Sequence, residues 1–297
     1  MTKQEIEAFL SICRHKNISK AAEELYISQS SLSTRLKMLE DRLGCALLLR
    51  SKGKREITLT TQGLAFYDLA LQYQSVLEKM SSVGQGDVVD KLRISVINSV
   101  GNYLMPAVFR RFTERYPHIQ LAIQDMEAEM ACSSIILGKT DIAFSTAKVQ
   151  TDQIVATPFL DDPMTILCAA DSVYPDEVTL DMLSVKNEVY VKWCAEHAYW
   201  HSVTFAGDVM PQIDLELMGQ IALFLSRPDK WTLAPQSVAD RLLEDPGIRQ
   251  CKPLFPIPNR TIYILRRRDN AESNTIHYFL DTLREVLTEQ QTVGLLL

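Results

Sequence analysis

The chain has 297 residues, of which 46% are hydrophobic and 23% charged, and its formal net charge is −6 at pH 7. These values are ordinary for a globular protein of more than one folding unit, and no apolar run is long enough to cross a membrane. The net charge differs between the two parts of the chain. Residues 1–60 are basic, with 11 Lys and Arg against 7 Asp and Glu, whereas the remainder is acidic, with 20 against 30. We therefore expect the N-terminal region to attract a polyanion.

The N-terminal sequence and the cysteines both indicate a protein of a reducing compartment. The opening residues MTKQEIEAF lack the apolar centre of a signal peptide, so we expect a cytoplasmic protein. The six cysteines are scattered singly, without the paired spacing of a metal site, and are predicted to be reduced thiols. A redox-sensing pair among them remains an open alternative.

Three helices are predicted in the first 44 residues. The first is indicated by apolar residues at helical spacing, namely Ile6, Phe9, Leu10 and Cys13. The second is short and compact, and we predict Ser19 as its N-cap. The third ends at Gly44 and has two sorted faces.

The third helix carries an apolar stripe and a polar face. The stripe consists of Leu32, Leu36, Leu39 and Leu43, and the polar face of Ser30, Ser33, Thr34 and Lys37. Short polar side chains let a helix come close to base edges in the major groove of DNA. The pattern is typical of a helix-turn-helix, and the residues predicted to contact double-stranded DNA are Ser19, Gln29, Ser30, Ser33, Thr34, Arg35 and Lys37.

A basic turn follows between two short extended segments, residues 45–49 and 56–60. This arrangement predicts a β-hairpin wing whose cations contact phosphates, which position a protein on DNA without specifying sequence. The cations are Arg50, Lys52, Lys54 and Arg55. The alternative is a solvated basic loop.

These residues together resemble the DNA-binding domain of LysR-type transcriptional regulators. The resemblance rests on matches in order along the chain: Phe9, Ser19-x-Ala21-Ala22-x-x-Leu25, Ser28-Gln29-Ser30-x-x-Ser33, Leu39-Glu40-x-x-Leu43-Gly44, Leu47-x-x-Arg50 and Leu59-Thr60-x-x-Gly63. Leu48 stands where the family usually has Phe, a hydrophobic replacement. The resemblance implies a winged helix-turn-helix domain over residues 1–60.

A long helix is predicted over residues 61–80, within a linker that extends to residue 90. Its apolar residues repeat at 4-3-4-3 spacing and predict the seam of a homodimer: Phe66, Ala70, Tyr73, Leu77 and Met80. Burial in a domain core is the alternative. The resembled family has a dimerising linker helix here, and doubling to a homotetramer through the C-terminal region is expected.

From residue 91 strands and helices alternate, which favours an α/β sheet. This region resembles the LysR effector domain, with two Rossmann-like lobes of the periplasmic-binding-protein type. Its landmarks include Pro106, Phe112, Tyr116-Pro117, Gly138-x-x-Asp141 and Ala234-Pro235. We expect an effector domain over 91–297, with lobe I at about 91–162 and 268–297 and lobe II at about 163–267.

Such lobes bind small molecules between them, where helix N-termini favour anions. On the first lobe we predict effector contacts from Ser99, Val100, Gly101 and Asn102, although these residues could simply begin a helix. On the second lobe the predicted contacts are Trp193, Cys194, Tyr199, Trp200 and His201, although an aromatic cluster of this kind often packs in a core. The expected effector is a small, anionic metabolite.

One departure from the resembled family concerns Trp231, which stands where a Gly-containing turn is usual. Trp231 could fill the cleft and leave a ligand-independent DNA-binding regulator. No nucleotide-binding loop, nucleophile elbow or metal-ligand spacing is present in the sequence, so we expect neither an enzyme nor a cofactor or metal. A solute-binding protein would not need the basic helix-turn-helix.

Overall fold

The structure is a computed structural model that describes residues 1–50, 57–82, 90–149, 151–205, 210–268 and 274–296. The chain divides into two compact units, an N-terminal one that runs from Met1 to Val88 and a C-terminal one that takes most of the remainder. Among the described helices, none combines the length and apolar character needed to cross a bilayer.

The N-terminal unit is a helical bundle with a two-stranded hairpin. Its elements are α1 (Lys3–His15), α2 (Ile18–Glu24), α3 (Gln29–Leu43), β1 (Leu48–Arg50), β2 (Ile57–Leu59) and α4 (Thr61–Ser82). β1 and β2 pair antiparallel, as the wing prediction requires.

Local side chains fix where these helices begin and end. Thr2 and Glu5 form a capping box at the start of α1, and Gly44 ends α3 in the left-handed conformation with φ 67°. Asn17, not Ser19, caps α2, because its Oδ1 accepts hydrogen bonds from the backbone N–H groups of Ser19 (2.8 Å) and Lys20. Asn and Ser cap equally well, so spacing alone could not choose between them.

The core of this unit includes the first half of α4. Phe9 of α1 packs edge-on against Phe66, with ring centroids 5.2 Å apart, and Ala70 is only 2% exposed. Phe66 is half-buried and Ala70 is buried against the same unit, so the core alternative describes these two residues within one chain. The stripe of α4 thus has a partner within its own unit, namely α1.

The C-terminal unit alternates strands and helices. In chain order these are β3 (Asp90–Val96), a π-helical turn (Val100–Leu104), α5 (Pro106–Arg115), β4 (Ile119–Asp125), α6 (Ala128–Ile136), β5 (Ile142–Ser145), β6 (Ile154–Asp162), β7 (Met164–Ala169), β8 (Glu177–Val178), β9 (Val189–Tyr190), α7 (Ala195–Thr204), β10 (Ile213–Asp214), α8 (Ile221–Leu225), β11 (Trp231–Pro235), α9 (Gln236–Leu242), β12 (Ile248–Pro253), β13 (Arg260–Arg267) and α10 (Asn274–Glu289).

These elements form two lobes, each with its own sheet and core. Lobe I has the strand order β4-β3-β5-β13-β6, and lobe II has β11-β7-β12-β8. β3, β4 and β5 are parallel, whereas β13 is antiparallel to both of its neighbours. The α/β prediction is confirmed, but both sheets are mixed rather than purely parallel.

The boundary between the lobes differs from the predicted one. β13 lies in the sheet of lobe I, where Ile262 and Ile264 join its apolar core, so lobe I resumes at Arg260 rather than at residue 268. β6 and β12 were not predicted from the sequence, because they carry polar residues between their apolar ones. The chain thus crosses between lobes at residues 162–164 and again just before Arg260.

Candidate DNA interface and effector site

The helix-turn-helix presents one polar face of α3 away from its core. Leu32, Leu36 and Leu39 are fully buried, as predicted, whereas Leu43 at the end of the helix is 39% exposed. On the opposite side the exposed side chains are Gln29, Ser30, Thr34 and Lys37, with Ser33 half-buried beside them. The hydroxyl of Thr34 donates to the backbone oxygen of Ser30 at 2.9 Å.

Arg35 does not share this face. At 100° per residue it lies about 160° around α3 from Lys37 and about 20° from Arg42. Arg42 extends toward Glu5 of α1, with 3.5 Å between Nη2 and Oε1. The helix thus places Arg35 outside the polar face, because adjacent residues of a helix point in different directions.

The wing is described only in part. β1 and β2 are described, but Lys52, Lys54 and Arg55 lie outside the described residues, as does the side chain of Arg50. Ser19 is half-buried at the start of α2, where its backbone rather than its side chain is bound by Asn17.

A buried charge network lies where the two lobes meet. Nη1 of Arg260 donates to Oγ of Ser99 at 2.7 Å, and Nη2 donates to Oδ2 of Asp162, also at 2.7 Å. Ser237 of α9 binds the same carboxylate through its hydroxyl (2.7 Å) and its backbone N–H (2.9 Å). Arg260 and Asp162 are each 1% exposed. The network therefore joins Ser99 of lobe I to Ser237 of lobe II.

Trp193 lies on the other side of the same guanidinium, with 5.6 Å from Cζ of Arg260 to its ring centroid. A cation over an indole ring is an attractive arrangement. The structure thus brings together Ser99 and Trp193, which were predicted on opposite lobes, but through Arg260. Nε of Arg260 has no hydrogen-bond partner among the described residues. Arg260 was not predicted from the sequence, because nothing near it in the chain marks it as a site.

Apart from Tyr199 and the histidine described below, the other predicted effector residues have structural partners. Val100 is buried in the core of lobe I, Gly101 packs near Val96, and the Asn102 amide donates to Oδ1 of Asn98 at 3.0 Å. In lobe II, Sγ of Cys194 caps α7 and the ring of Trp200 stacks on Phe255. Tyr199 is 73% exposed.

His201 and His197 form a buried cluster with Glu188 and Tyr190. Nε2 of His201 lies 2.7 Å from Oε2 of Glu188, and burial raises the pKa of that carboxyl. Burial also lowers the pKa of His197 to about 4, which keeps its ring neutral at pH 7. Neither ring nitrogen of His197 has a hydrogen-bond partner in the described part of the chain. The alternative of core packing fits this cluster best.

Trp231 does not fill the space between Ser99 and Trp200. It is fully buried in lobe II, where it contacts Phe205 and its Nε1 donates to the backbone oxygen of Ser184 at 3.0 Å.

A second link between the lobes, besides the network around Arg260, comes from Tyr103, whose hydroxyl donates to the backbone oxygen of Met218 at 2.8 Å. In the described ranges, no group of three or more His, Cys, Asp or Glu could hold a metal ion.

Two family models match the chain. The model of the bacterial regulatory helix-turn-helix protein, lysR family, matches residues 4–64, and that of the LysR substrate binding domain matches residues 85–288. The chain belongs to the LysR family. This LysR-type regulator is a DNA-binding transcriptional regulator with an effector-binding domain.

Relatives and solved structures agree with that assignment. The LysR-type regulator is 22% identical over 293 residues to the hydrogen peroxide-inducible genes activator of Pectobacterium carotovorum subsp. carotovorum, with 96% of both chains covered. Full-length OxyR from Pseudomonas aeruginosa has a TM-score of 0.65 at 22% identity, covering 96% of this chain and 95% of that one. Full-length CbnR complexed with target DNA has a TM-score of 0.64 at 17% identity, covering 96% and 99%. At these identities the solved structures show the fold.

Proposed function

We propose that this LysR-type regulator reads its operator with the polar face of α3, formed by Gln29, Ser30, Ser33, Thr34 and Lys37. The observation that carries the proposal is the separation of this exposed face from the fully buried leucines behind it. Hydroxyl and amide groups suit base edges, and Lys37 suits a phosphate. The wing cations Arg50, Lys52, Lys54 and Arg55 remain proposed phosphate contacts.

Lys37→Ala and Arg35→Ala make a matched pair for testing this face. Both changes remove one cation from the same helix, two residues apart, but only Lys37 lies on the polar face. Lys37→Ala should weaken binding to operator and unrelated duplexes alike and reduce the salt slope by about one phosphate contact. Arg35→Ala should leave both nearly unchanged in fluorescence anisotropy. Equal losses for the two variants would refute the assignment.

We also propose a homodimer through the exposed apolar row of α4, which replaces the predicted seam in part. The row consists of Leu69, Tyr73, Val76 and Met80, and spacing of 4-3-4 suits a two-helix contact. Leu69 is 60% and Met80 64% exposed, a large apolar surface for a helix to leave in water. Two-fold symmetry then favours a roughly palindromic operator.

Val76→Asp should shift the protein from dimer to monomer in light scattering at micromolar concentration, because it puts a carboxylate in the seam. Asp68→Asn changes an exposed position of the same helix outside the row and should leave the dimer intact. A dimer that survives Val76→Asp would contradict this interface.

The effector site we propose lies at Arg260, between Ser99 and Trp193. A buried guanidinium with one unpartnered N–H favours an oxyanion, so a small carboxylate is the expected class of effector. Such a ligand would have to displace Ser99 or share Arg260 with Asp162. Asp162 and a ligand carboxylate would thus compete for Arg260. The same competition favours the alternative function, a ligand-independent regulator in which Asp162 itself occupies the place of an effector.

Thermal-shift screening of carboxylates separates these two functions. A ligand of the native state raises the melting temperature by mass action, and Ser99→Ala should reduce that shift without abolishing folding. Asn98→Ala, which changes the neighbouring exposed contact to Asp125, is the control. If no small carboxylate raises the melting temperature of a protein that still binds its operator, the result supports the ligand-independent function.

We infer no enzymatic activity.

A further inference from the structure

Two thiols of lobe II form a cluster that neither DNA nor effector binding uses. Cys168 on β7 and Cys251 on β12 are fully buried, with 3.4 Å between their sulfur atoms. In the antiparallel register Cys168 faces Arg249, and Cys251 faces Ile166. The two cysteines are therefore diagonal neighbours on one face of the sheet, where twist brings side chains of adjacent strands together.

Each thiol of this pair accepts a hydrogen bond from a polar side chain. The hydroxyl of Ser172 donates to Sγ of Cys168 at 3.0 Å, and Nη1 of Arg249 donates to Sγ of Cys251 at 3.2 Å. The guanidinium is held in turn by Ser172 (3.0 Å), by the backbone oxygen of Tyr174 and by Asp176 (3.1 Å). Donors aimed at sulfur stabilise a thiolate, whereas purely structural thiols sit among apolar groups.

The pair is poised to share one proton. A hydrogen bond from Cys251 lowers the pKa of Cys168, with Ser172 and Arg249 acting in the same direction, while burial and Asp176 oppose them. The hydrogen bond to Cys168 raises the pKa of Cys251. Among the described contacts Cys194 of the same lobe has no thiol partner, and burial raises its pKa. Arg249 and Ser172, which contact the two sulfur atoms, are partly exposed to solvent.

We propose that Cys168 and Cys251 form a redox-reactive dithiol that hydroperoxides convert to an intramolecular disulfide. The Cys168 thiolate attacks one peroxide oxygen, the O–O bond breaks, and the leaving oxygen takes a proton to give water or an alcohol. The sulfenic acid on Cys168 is then attacked by Cys251, which forms the S–S bond and releases water. Two thiols lose two electrons and two protons, and the hydroperoxide is reduced.

Closing the bond requires the two sulfur atoms, 3.4 Å apart, to approach by about 1.4 Å, because an S–S bond is roughly 2.05 Å long. The product links β7 to β12, the two central strands of the lobe II sheet. The proposal is independent of the effector site, because neither cysteine contacts Arg260, Ser99 or Trp193 in the described contacts.

Peptide mapping of the full-length protein after hydrogen peroxide treatment tests the proposal without any variant. The reduced protein is treated with a few equivalents of hydrogen peroxide, unfolded, alkylated and digested without reductant. We expect one cross-linked peptide joining Cys168 to Cys251, while Cys194 remains alkylated. A pair that stays fully alkylated, or that reacts no faster than Cys194, overturns the proposal.

Two variants then test the chemistry. Cys251→Ser should leave the sulfenic acid on Cys168 open to capture by a cyclic dione. Arg249→Gln should slow disulfide formation by roughly tenfold for each unit by which the thiol pKa rises above the assay pH, and Arg249→Lys should restore part of the rate. Equal rates for wild type and Arg249→Gln, with both proteins folded by circular dichroism, would show that Arg249 does not stabilise a thiolate. That result would overturn the proposed thiolate mechanism.

Discussion

Replacing Asp162 by Asn tests the charge network at the junction of the two lobes. The carboxylate of Asp162 accepts hydrogen bonds from Arg260 and from both the hydroxyl and the backbone N–H of Ser237, and it is 1% exposed. An amide keeps one oxygen acceptor but leaves Arg260 buried without a counter-charge. Breaking a buried ion pair in this way costs about 3–5 kcal/mol. For a domain of about 200 residues the melting temperature should fall by roughly 6–20 °C.

Differential scanning calorimetry of the full-length protein measures this loss. Asp161→Asn is the matched control, because Asp161 is half-buried and bonds the exposed amide of Asn259 at 2.9 Å. Its effect should stay within about 0.5 kcal/mol. Adding Arg260→Met to Asp162→Asn removes both charges and should recover most of the loss. Equal melting temperatures for Asp162→Asn and Asp161→Asn would refute the argument that the pair is held in a low-dielectric site.

Two further changes probe other parts of the molecule. The pKa of His197 is about 4 in the folded protein, below the roughly 6.5 of an unfolded chain, so the unfolded chain binds the extra proton between these pH values. The free energy of unfolding should therefore fall as the pH drops from about 6.5 to 4, by up to about 3 kcal/mol, and His197→Phe should flatten this slope in urea titrations. In the N-terminal unit, Gly63→Ala would place a Cβ 2.0 Å from the backbone oxygen of Leu47, so thermal melts should show that unit destabilised and operator binding weakened. Gly219→Ala meets nothing within 4 Å and should change neither measurement.

Periodicity in the sequence predicted the N-terminal unit well where one helix buries one face. Leu32, Leu36 and Leu39 fall on the inner side of α3, because their spacing places them on one face of the helix and that apolar face is buried. The same reasoning could not decide between two partners for the apolar stripe of α4. Phe66 and Ala70 suit a second copy of the chain as well as they suit α1, and only the three-dimensional position of Phe9 decides between them.

The candidate effector site was harder to predict because it is assembled from distant segments. Ser99 and Trp193 were found from the ends of predicted strands, but Asp162 and Arg260 are 98 positions apart in the chain and have no local pattern. Their association depends on β6 pairing with β13, and β6 was not predicted. Placing β13 in lobe II hid the register that sets these two charges opposite each other.

That register has a mechanical consequence. Arg260 and Asp162 are direct partners in the β6–β13 ladder, and the chain leaves lobe I beside each of them, so both connections between the lobes lie side by side. A rotation of one lobe against the other would turn about this pair of connections. Atoms close to such an axis would move little, so the geometry favours an ion pair that is kept when the angle between the lobes changes. The hydrogen bond from Tyr103 to Met218 also joins the lobes, through segments outside the β6–β13 ladder, and would be stretched by such a rotation.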